Sequence, residues 1–305
     1  MPNKISIWWR AVRPFAFPVS TLPPILGTLT ALMGVPELRV NWLHFLLATI
    51  GCLLAHSGAN LLSDYYDYRN GVDRSGTFGS SGVLVEGLMT PRQVWVEAMI
   101  TFALAAAIGM YFILTLEKGI VLFWIVFLGG LLGFFYTTGP IKLKYRAFGD
   151  IAVFIAFGPA MSLGAYFVQA QRFSWKPIWV VLPLAFLVDA VLHGNNLRDI
   201  DNDRQAGIRT VAMLLGEKGA EYMYITLLAA AYVTTAGLIL FGELPWQSSI
   251  VGVSIPLAGR LIQLFKGRKQ GEREPFNMID ARTAQFHFAF GLLLIASLIW
   301  DFLAR

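Results

Sequence analysis

What most limits the fold of this chain is a succession of nine long apolar segments with few charges inside any of them. They run roughly over residues 15–35, 42–63, 93–115, 120–138, 149–170, 176–195, 220–241, 246–266 and 284–303. An α-helix needs about 20 apolar residues to cross the ~30 Å hydrocarbon core of a bilayer, and each segment is about that long. The pattern predicts an all-α, polytopic membrane protein of about nine transmembrane helices. Composition points the same way. Of 305 residues, 56% are hydrophobic and 14% charged, against about 25% charged in a soluble domain. Pro23, Pro24, Pro159 and Pro183 fall inside the segments, where membrane helices tolerate them. No polar stretch is long enough to be a second domain, so residues 1–305 are expected to form one integral-membrane domain.

The charges then orient the chain. A net charge of +5 raises the question of nucleic acid in a soluble protein. Here the basic residues sit between apolar segments, the pattern of cytoplasmic loops, and no nucleic-acid partner is expected. With the N-terminus cytoplasmic, the inside segments, Arg273 among them, collect 19 of the 24 Lys and Arg. Arg39, Lys118, Arg172, Lys176 and Arg305 fall outside. The first apolar run carries no small-residue cleavage site and reads as a retained span. The single cysteine, Cys52, excludes an intrachain disulfide and reads as an inert buried thiol.

Two acidic stretches break the apolar pattern: NLLSDYYDYRNGVD over 60–73 and NNLRDIDND over 195–203. Acids at the ends of membrane helices are costly unless partnered, which makes them functional-site candidates. If the helix continues past Asn60, then Asn60, Asp64 and Asp67 share one face, with Asp73 beyond. Asn195, Asp199 and Asp203 do the same, with Asn196 beside them. The two stretches stand four spans apart on the cytoplasmic side. Spans one to four and five to eight therefore read as two four-helix half-repeats, with one helix added. A set of carboxylates and amide oxygens suits a hard cation such as Mg²⁺, which keeps waters and phosphate oxygens in its shell. Two such clusters facing each other are fitted to hold a diphosphate between two ions. Arg13, Lys142, Lys144, Arg146 and Arg198 lie at the same level to neutralise phosphate, and Tyr136 is placed to donate to a phosphate oxygen.

Plainer readings stand beside these. One mixed-charge loop alone is most simply a solvated loop. Lys142, Lys144 and Arg146 are explained equally well by topology. His193 divides evenly between a site role and a structural one. His287 is expected to be a satisfied interhelical histidine. Phe123, Trp124, Phe127, Phe134 and Phe135 face lipid, or else line a cavity for an apolar chain. A transporter would place its acids at mid-membrane depth, whereas these lie at helix ends.

The chain resembles the UbiA superfamily of intramembrane prenyltransferases, and within it the 1,4-dihydroxy-2-naphthoate prenyltransferase branch. The resemblance is carried by WWRAVRPFAFPVS, DYYDYRNGVD, FYTTGPIKLKYRAFGD, NNLRDIDNDRQAGIRT and TAQFHFAFGLLL. It implies nine helices around a central cavity open laterally to lipid, in the cell's inner (cytoplasmic) membrane. It further implies transfer of a prenyl group from a prenyl diphosphate to an aromatic acceptor, 1,4-dihydroxy-2-naphthoate in menaquinone biosynthesis, with Mg²⁺ as cofactor. Asp64, Asp67, Asp199 and Asp203 are the implied catalytic residues, and these with Asp73 the metal ligands. Arg13, Asn60, Ser63, Tyr136, Lys142, Lys144, Asn195, Asn196 and Arg198 are the implied substrate contacts. Acceptors of the 4-hydroxybenzoate or homogentisate type, and a non-catalytic lipid- or quinone-binding or transport role, are the alternatives. Two positions depart from the family pattern. Ser63 stands where an Asn is usual, and Gly82 where an Arg is usual.

Overall fold

The structure, a computed structural model, describes residues 3–270 and 273–304, the side chain of Arg273 excepted. Arg305 and the Arg273 side chain, both part of the charge tally, lie outside the described residues. Among those residues the chain is helical throughout, without a named strand. A short first helix, α1 (Lys4–Ala11), exposes Ile5, Trp8 and Trp9 beside Lys4 and Arg10. Aromatic and basic residues on one short helix suit a membrane interface.

Nine apolar helices follow, one for each expected segment. They are α2 (Pro14–Gly34), α3 (Trp42–Arg69), α4 (Pro91–Thr115), α5 (Gly119–Phe134) and α6 (Gly149–Ala170). After these come α7 (Lys176–Arg198), the short cytoplasmic α8 (Ile200–Gln205), α9 (Val211–Leu240) and α10 (Trp246–Lys269). A short α11 (Arg273–Asn277) leads into α12 (Ile279–Ala304). Eight are long and apolar enough to cross a bilayer by themselves. The exception is α5, with 16 residues. At 1.5 Å per residue it reaches about 24 Å, short of the ~30 Å core. The expected segment ran to 138, but the chain leaves the helix at Phe135 and turns through Thr137–Pro140.

The half-repeats are visible in the packing. α3 lies along α4, and α7 along α9, so the second and third spans of each half pair alike. α2 is the central post, touching α3, α6, α7 and α12. The largest core gathers around α7, where Leu184, Leu187 and Leu197 meet Phe290 and Leu294 of α12. Two irregularities shape the bundle. Pro159 has no N–H to give, and α6 widens to a π-turn over Ala156–Ala160, the usual response to a lost helical bond. α9 breaks at Gly216 (φ 68°, ψ 171°), which separates its cytoplasmic turn from its membrane part.

Candidate active site

α3 continues past Asn60 to Arg69, as the acidic spacing requires, and sets Asn60, Asp64 and Asp67 on one face. Asp64 and Asp67 are buried, and both are partnered from outside the helix. Asp64 Oδ1 takes the Arg13 guanidinium, while its Oδ2 accepts from the Ser81 backbone N–H at 3.1 Å and from the Ser81 hydroxyl. Asp67 Oδ2 accepts from Lys144 Nζ at 2.5 Å and from Ser63 at 3.0 Å, and Oδ1 accepts from the Tyr145 hydroxyl at 2.7 Å. Arg13 adopts a left-handed conformation (φ 56°) immediately before Pro14. A non-glycine residue rarely sits there, and this geometry accompanies the guanidinium's contact with Asp64.

The second cluster differs from the expectation of one unbroken helix. α7 ends at Arg198, and Asp199 (φ −97°, ψ 8°) separates it from α8. The four-residue spacing survives the break, because Asp199 N–H donates to the Asn195 carbonyl (3.1 Å) and Asp203 N–H to that of Asp199 (2.9 Å). Arg198 organises this side. It donates to Asp199 at 2.8 and 3.0 Å, to Asn195 Oδ1, to the Asn277 carbonyl at 3.0 Å, and pairs with Asp280 at 3.0 Å.

The loop between α3 and α4 joins the clusters. Ser81 holds Asp64, while a Cβ on Gly79, two residues earlier, would stand 2.8 Å from Asn195 Oδ1 and from Arg198 Nη2. Phe78 lies under the Arg198 guanidinium at 5.7 Å, and Arg74 donates to Gln205 of α8 at 2.7 Å. Below the clusters a cavity opens between α2, α3, α5, α6 and α7. Arg13, Asn60, Ser63, Tyr136, Lys144 and Asn195 line its polar end, and Ala152, Phe157, Val188 and Leu192 are among its apolar walls. On α5 the cavity is lined by Gly129, Leu132 and Gly133, whereas Trp124 and Phe127 are exposed on the outer surface.

Lys142 stays apart and forms no ion pair with either cluster among the described residues. Asn196 is buried. His193 bonds Asp150 at 3.1 Å and the Ala220 carbonyl at 3.0 Å, outside the acid clusters. His287 departs from expectation: both ring nitrogens are buried and without a partner among the described residues.

Electrostatics bear on the metal. Six acidic side chains, Asp64, Asp67, Asp73, Asp199, Asp203 and Asp280, share the region with three paired cations, Arg13, Lys144 and Arg198. Burial, together with Asp67 and Asp64, pushes Asp73 up to about 8, and burial pushes Asp203 up to about 7. Burial opposes the Lys144 ammonium, yet Asp67, Tyr136 and Tyr145 together outweigh it and raise the lysine. Among the described residues no three His, Cys, Asp or Glu converge as a ready-made metal cage. An excess of buried carboxylate without such a cage fits Mg²⁺, which takes one or two carboxylates and fills its shell with water and phosphate oxygens.

A model of the UbiA prenyltransferase family matches residues 22–299. The chain belongs to that family. Its relatives include 1,4-dihydroxy-2-naphthoate octaprenyltransferase of Bacillus subtilis (strain 168), 33% identical over 98% of this chain and 94% of that protein. Human UbiA prenyltransferase domain-containing protein 1 is 31% identical over 97% of this chain and 84% of its own length. Among solved structures, a UbiA homolog from Archaeoglobus fulgidus bound to GPP and Mg²⁺ superposes with a TM-score of 0.64. It is 18% identical and covers 95% of this chain and 99% of its own. An apo UbiA homolog from Aeropyrum pernix K1 gives 0.66 at 14% identity, over 94% and 97% of the two chains. The activity of the family is prenyl transfer, and the chain is a multi-pass membrane protein with the UbiA fold.

Sequence reasoning missed Ser81, Tyr145 and Asp280. Asp280 had a signal, an acid opening the last apolar segment at the cytoplasmic level. Ser81 had none, because its contact depends on how a glycine-rich loop folds back.

Proposed function

We propose that this protein transfers a prenyl group from a prenyl diphosphate to an aromatic acceptor, 1,4-dihydroxy-2-naphthoate, as a step of menaquinone synthesis. The observation that carries the reading is the pair of acidic clusters closing the polar end of one apolar-walled cavity, linked by a single loop. That arrangement separates a charged end for diphosphate from an apolar space for hydrocarbon and ring. The acceptor is taken from the relative in Bacillus subtilis. The charge asymmetry of the loops supports an N-terminus in the cytoplasm, and membership of the family supports a location in the inner membrane.

Asp64, Asp67, Asp73, Asp199 and Asp203 are the residues that would hold Mg²⁺. Bound there, the ion supplies Lewis-acid charge that weakens the bond to the leaving diphosphate. The chain's own groups do the rest. Arg13, Lys144 and Arg198 bring fixed positive charge to the phosphate oxygens, with Tyr136, Asn60, Ser63, Asn195 and Asn196 as neutral hydrogen-bonding partners. Lys144 stays protonated beside Asp67, so it acts as a permanent cation. The apolar walls keep water from an allylic cation and hold the ring within attacking distance. With the naphthoate, the carboxylate carbon leaves as CO₂ when the ring is alkylated at that position.

Purified protein supplied with radiolabelled prenyl diphosphate, a panel of aromatic acceptors, and Mg²⁺ or EDTA tests this. Labelled prenyl-naphthoquinol precursor should form with Mg²⁺ and disappear with EDTA. Full turnover in EDTA, or a preference for 4-hydroxybenzoate or homogentisate, would overturn the corresponding part of the reading.

A further inference from the structure

His56 lies on the same face of α3 as Asn60 and Asp64, one and two turns deeper in the membrane, and lines the cavity. Its ring is held from two sides. Nδ1 stands 3.0 Å from Ser20 Oγ, and Phe157, on the π-turn of α6, meets the ring edge-on with centroids 4.7 Å apart. We assign the tautomer from the partners. The Ser20 hydroxyl donates to the Phe17 carbonyl at 3.2 Å, which spends its only proton. Ser20 Oγ therefore accepts from His56, Nδ1 carries the hydrogen, and Nε2 is left with a lone pair. Nε2 has no hydrogen-bond partner among the described residues, yet it is not sealed in among the buried unpartnered atoms. The open space against this ring is the cavity. An anchored ring thus offers one acceptor to whatever occupies the apolar end.

Depth along α3 selects the occupant. At 1.5 Å per residue, Asn60 lies about 6 Å and His56 about 12 Å from the level of Asp64. A diphosphate held at Asp64 and Asp67 puts the first prenyl carbon near Asn60, and an attacking ring must come within about 3.5 Å of that carbon. A ring substituent pointing away from the diphosphate then reaches His56. A prenyl chain has no donor for Nε2, whereas a phenolic hydroxyl does. We infer that His56 Nε2 accepts a hydrogen bond from a hydroxyl of the aromatic acceptor, making His56 a specificity-determining residue. The inference rests on the site's being a prenyltransferase of aromatic acceptors. The bond orients the ring and draws its hydroxyl toward phenolate character, which enriches the attacking carbon.

The test uses the full chain in detergent with prenyl diphosphate, the aromatic acceptor that the wild type uses best, and methyl ethers of that acceptor's hydroxyls. His56→Phe should raise KM for the acceptor about tenfold, the cost of losing one well-placed hydrogen bond, and leave KM for prenyl diphosphate unchanged. His56→Gln, which returns an acceptor near the place of Nε2, should recover most of the loss. Wild type should use one methyl ether about tenfold less well than the parent, and His56→Phe should erase that preference. The inference is overturned if His56→Phe shifts both KM values alike or neither, or if the ether penalty is the same in both proteins. Should His56→Phe fail to fold, the wild-type comparison decides: equal use of parent and all ethers refutes the bond. A wild type that prenylates no aromatic acceptor removes the functional reading and this inference together, whereas a wild type active on the parent with an unmoved His56→Phe removes the inference alone.

Discussion

Lys144 and Asp67 show how much one side chain can carry. The ammonium and carboxylate are nearly enclosed, with side-chain exposures of 17% and 3%. Removing one partner of a buried pair strands the other, typically at a cost of about 3–5 kcal/mol. Lys144→Ala should accordingly lower thermal stability in detergent as well as activity, whereas Asp67→Asn, whose one amide oxygen can face Lys144 and Ser63 while its NH2 donates to the Tyr145 hydroxyl, should be the less destabilised of the two and lose turnover. A melting curve for each beside a turnover assay separates the two effects, and an unshifted melting point for Lys144→Ala would contradict the pairing. Gly82 is decided by its backbone. It sits at φ 77°, and a Cβ there would stand 2.6 Å from Arg10 Nη2. Arg10 in turn donates to the Ser81 carbonyl at 2.7 Å and pairs with Glu86. An arginine at 82, as the family pattern has it, cannot enter this loop without displacing Arg10. Gly82→Arg should therefore weaken prenyl-diphosphate binding; a lower KM for the donor would show that the loop accommodates it.

At the scale of elements, the α3–α4 loop controls the relation between the clusters. Gly79 and Gly76 both have positive φ, 91° and 87°, but only Gly79 faces Arg198, Asn195 and Asp199. Gly76→Ala carries the backbone strain alone, about 1–2 kcal/mol. Gly79→Ala adds a push against the second cluster and should cost activity well beyond its loss of stability; equal turnover in the two variants would separate the loop from the chemistry. These elements also mark where sequence stops being legible. The spans and the acids at 64, 67, 199 and 203 are written in hydropathy and local spacing, while the orientation is an expectation from loop charge alone. The partners of those acids are not, because Arg13 meets Asp64 across 51 residues and Lys144 meets Asp67 across 77. No periodicity records such pairings. The interfacial α1 was hidden for another reason: eight residues are too few to show a clear period.

For the whole molecule, the orientation is open to direct measurement. Ser75 is exposed in the loop that joins the clusters, and Lys118 is exposed in the opposite connection between α4 and α5. Ser75→Cys should react with a membrane-impermeant thiol reagent only from the cytoplasm, and Lys118→Cys only from the other side, in each case in a Cys52→Ser background. Both positions reacting from the same side would remove a span between them and undo the half-repeat relation. Much of the wider surface meets lipid, as exposed Trp42, Leu114 and Leu240 illustrate, so buried polar contacts such as Tyr224–Thr283 and Ser248–Ser297 contribute to fixing how the helices pack.

The pairing of the acids has a consequence for how the protein is made. Arg13 precedes Asp64 in synthesis, so the first carboxylate to arrive finds its counter-ion waiting. Asp67 gains Lys144 once the fourth span has been made, before any residue of the second half emerges. Asp199 is born next to Arg198. Each half thus enters the bilayer carrying countercharges for its own paired acids, and neither depends on the other to make insertion of those acids tolerable. Asp280, at the head of the last helix, likewise comes back to a cation synthesised well before it. Its contact with Arg198 is the last of these ion pairs to become available during synthesis.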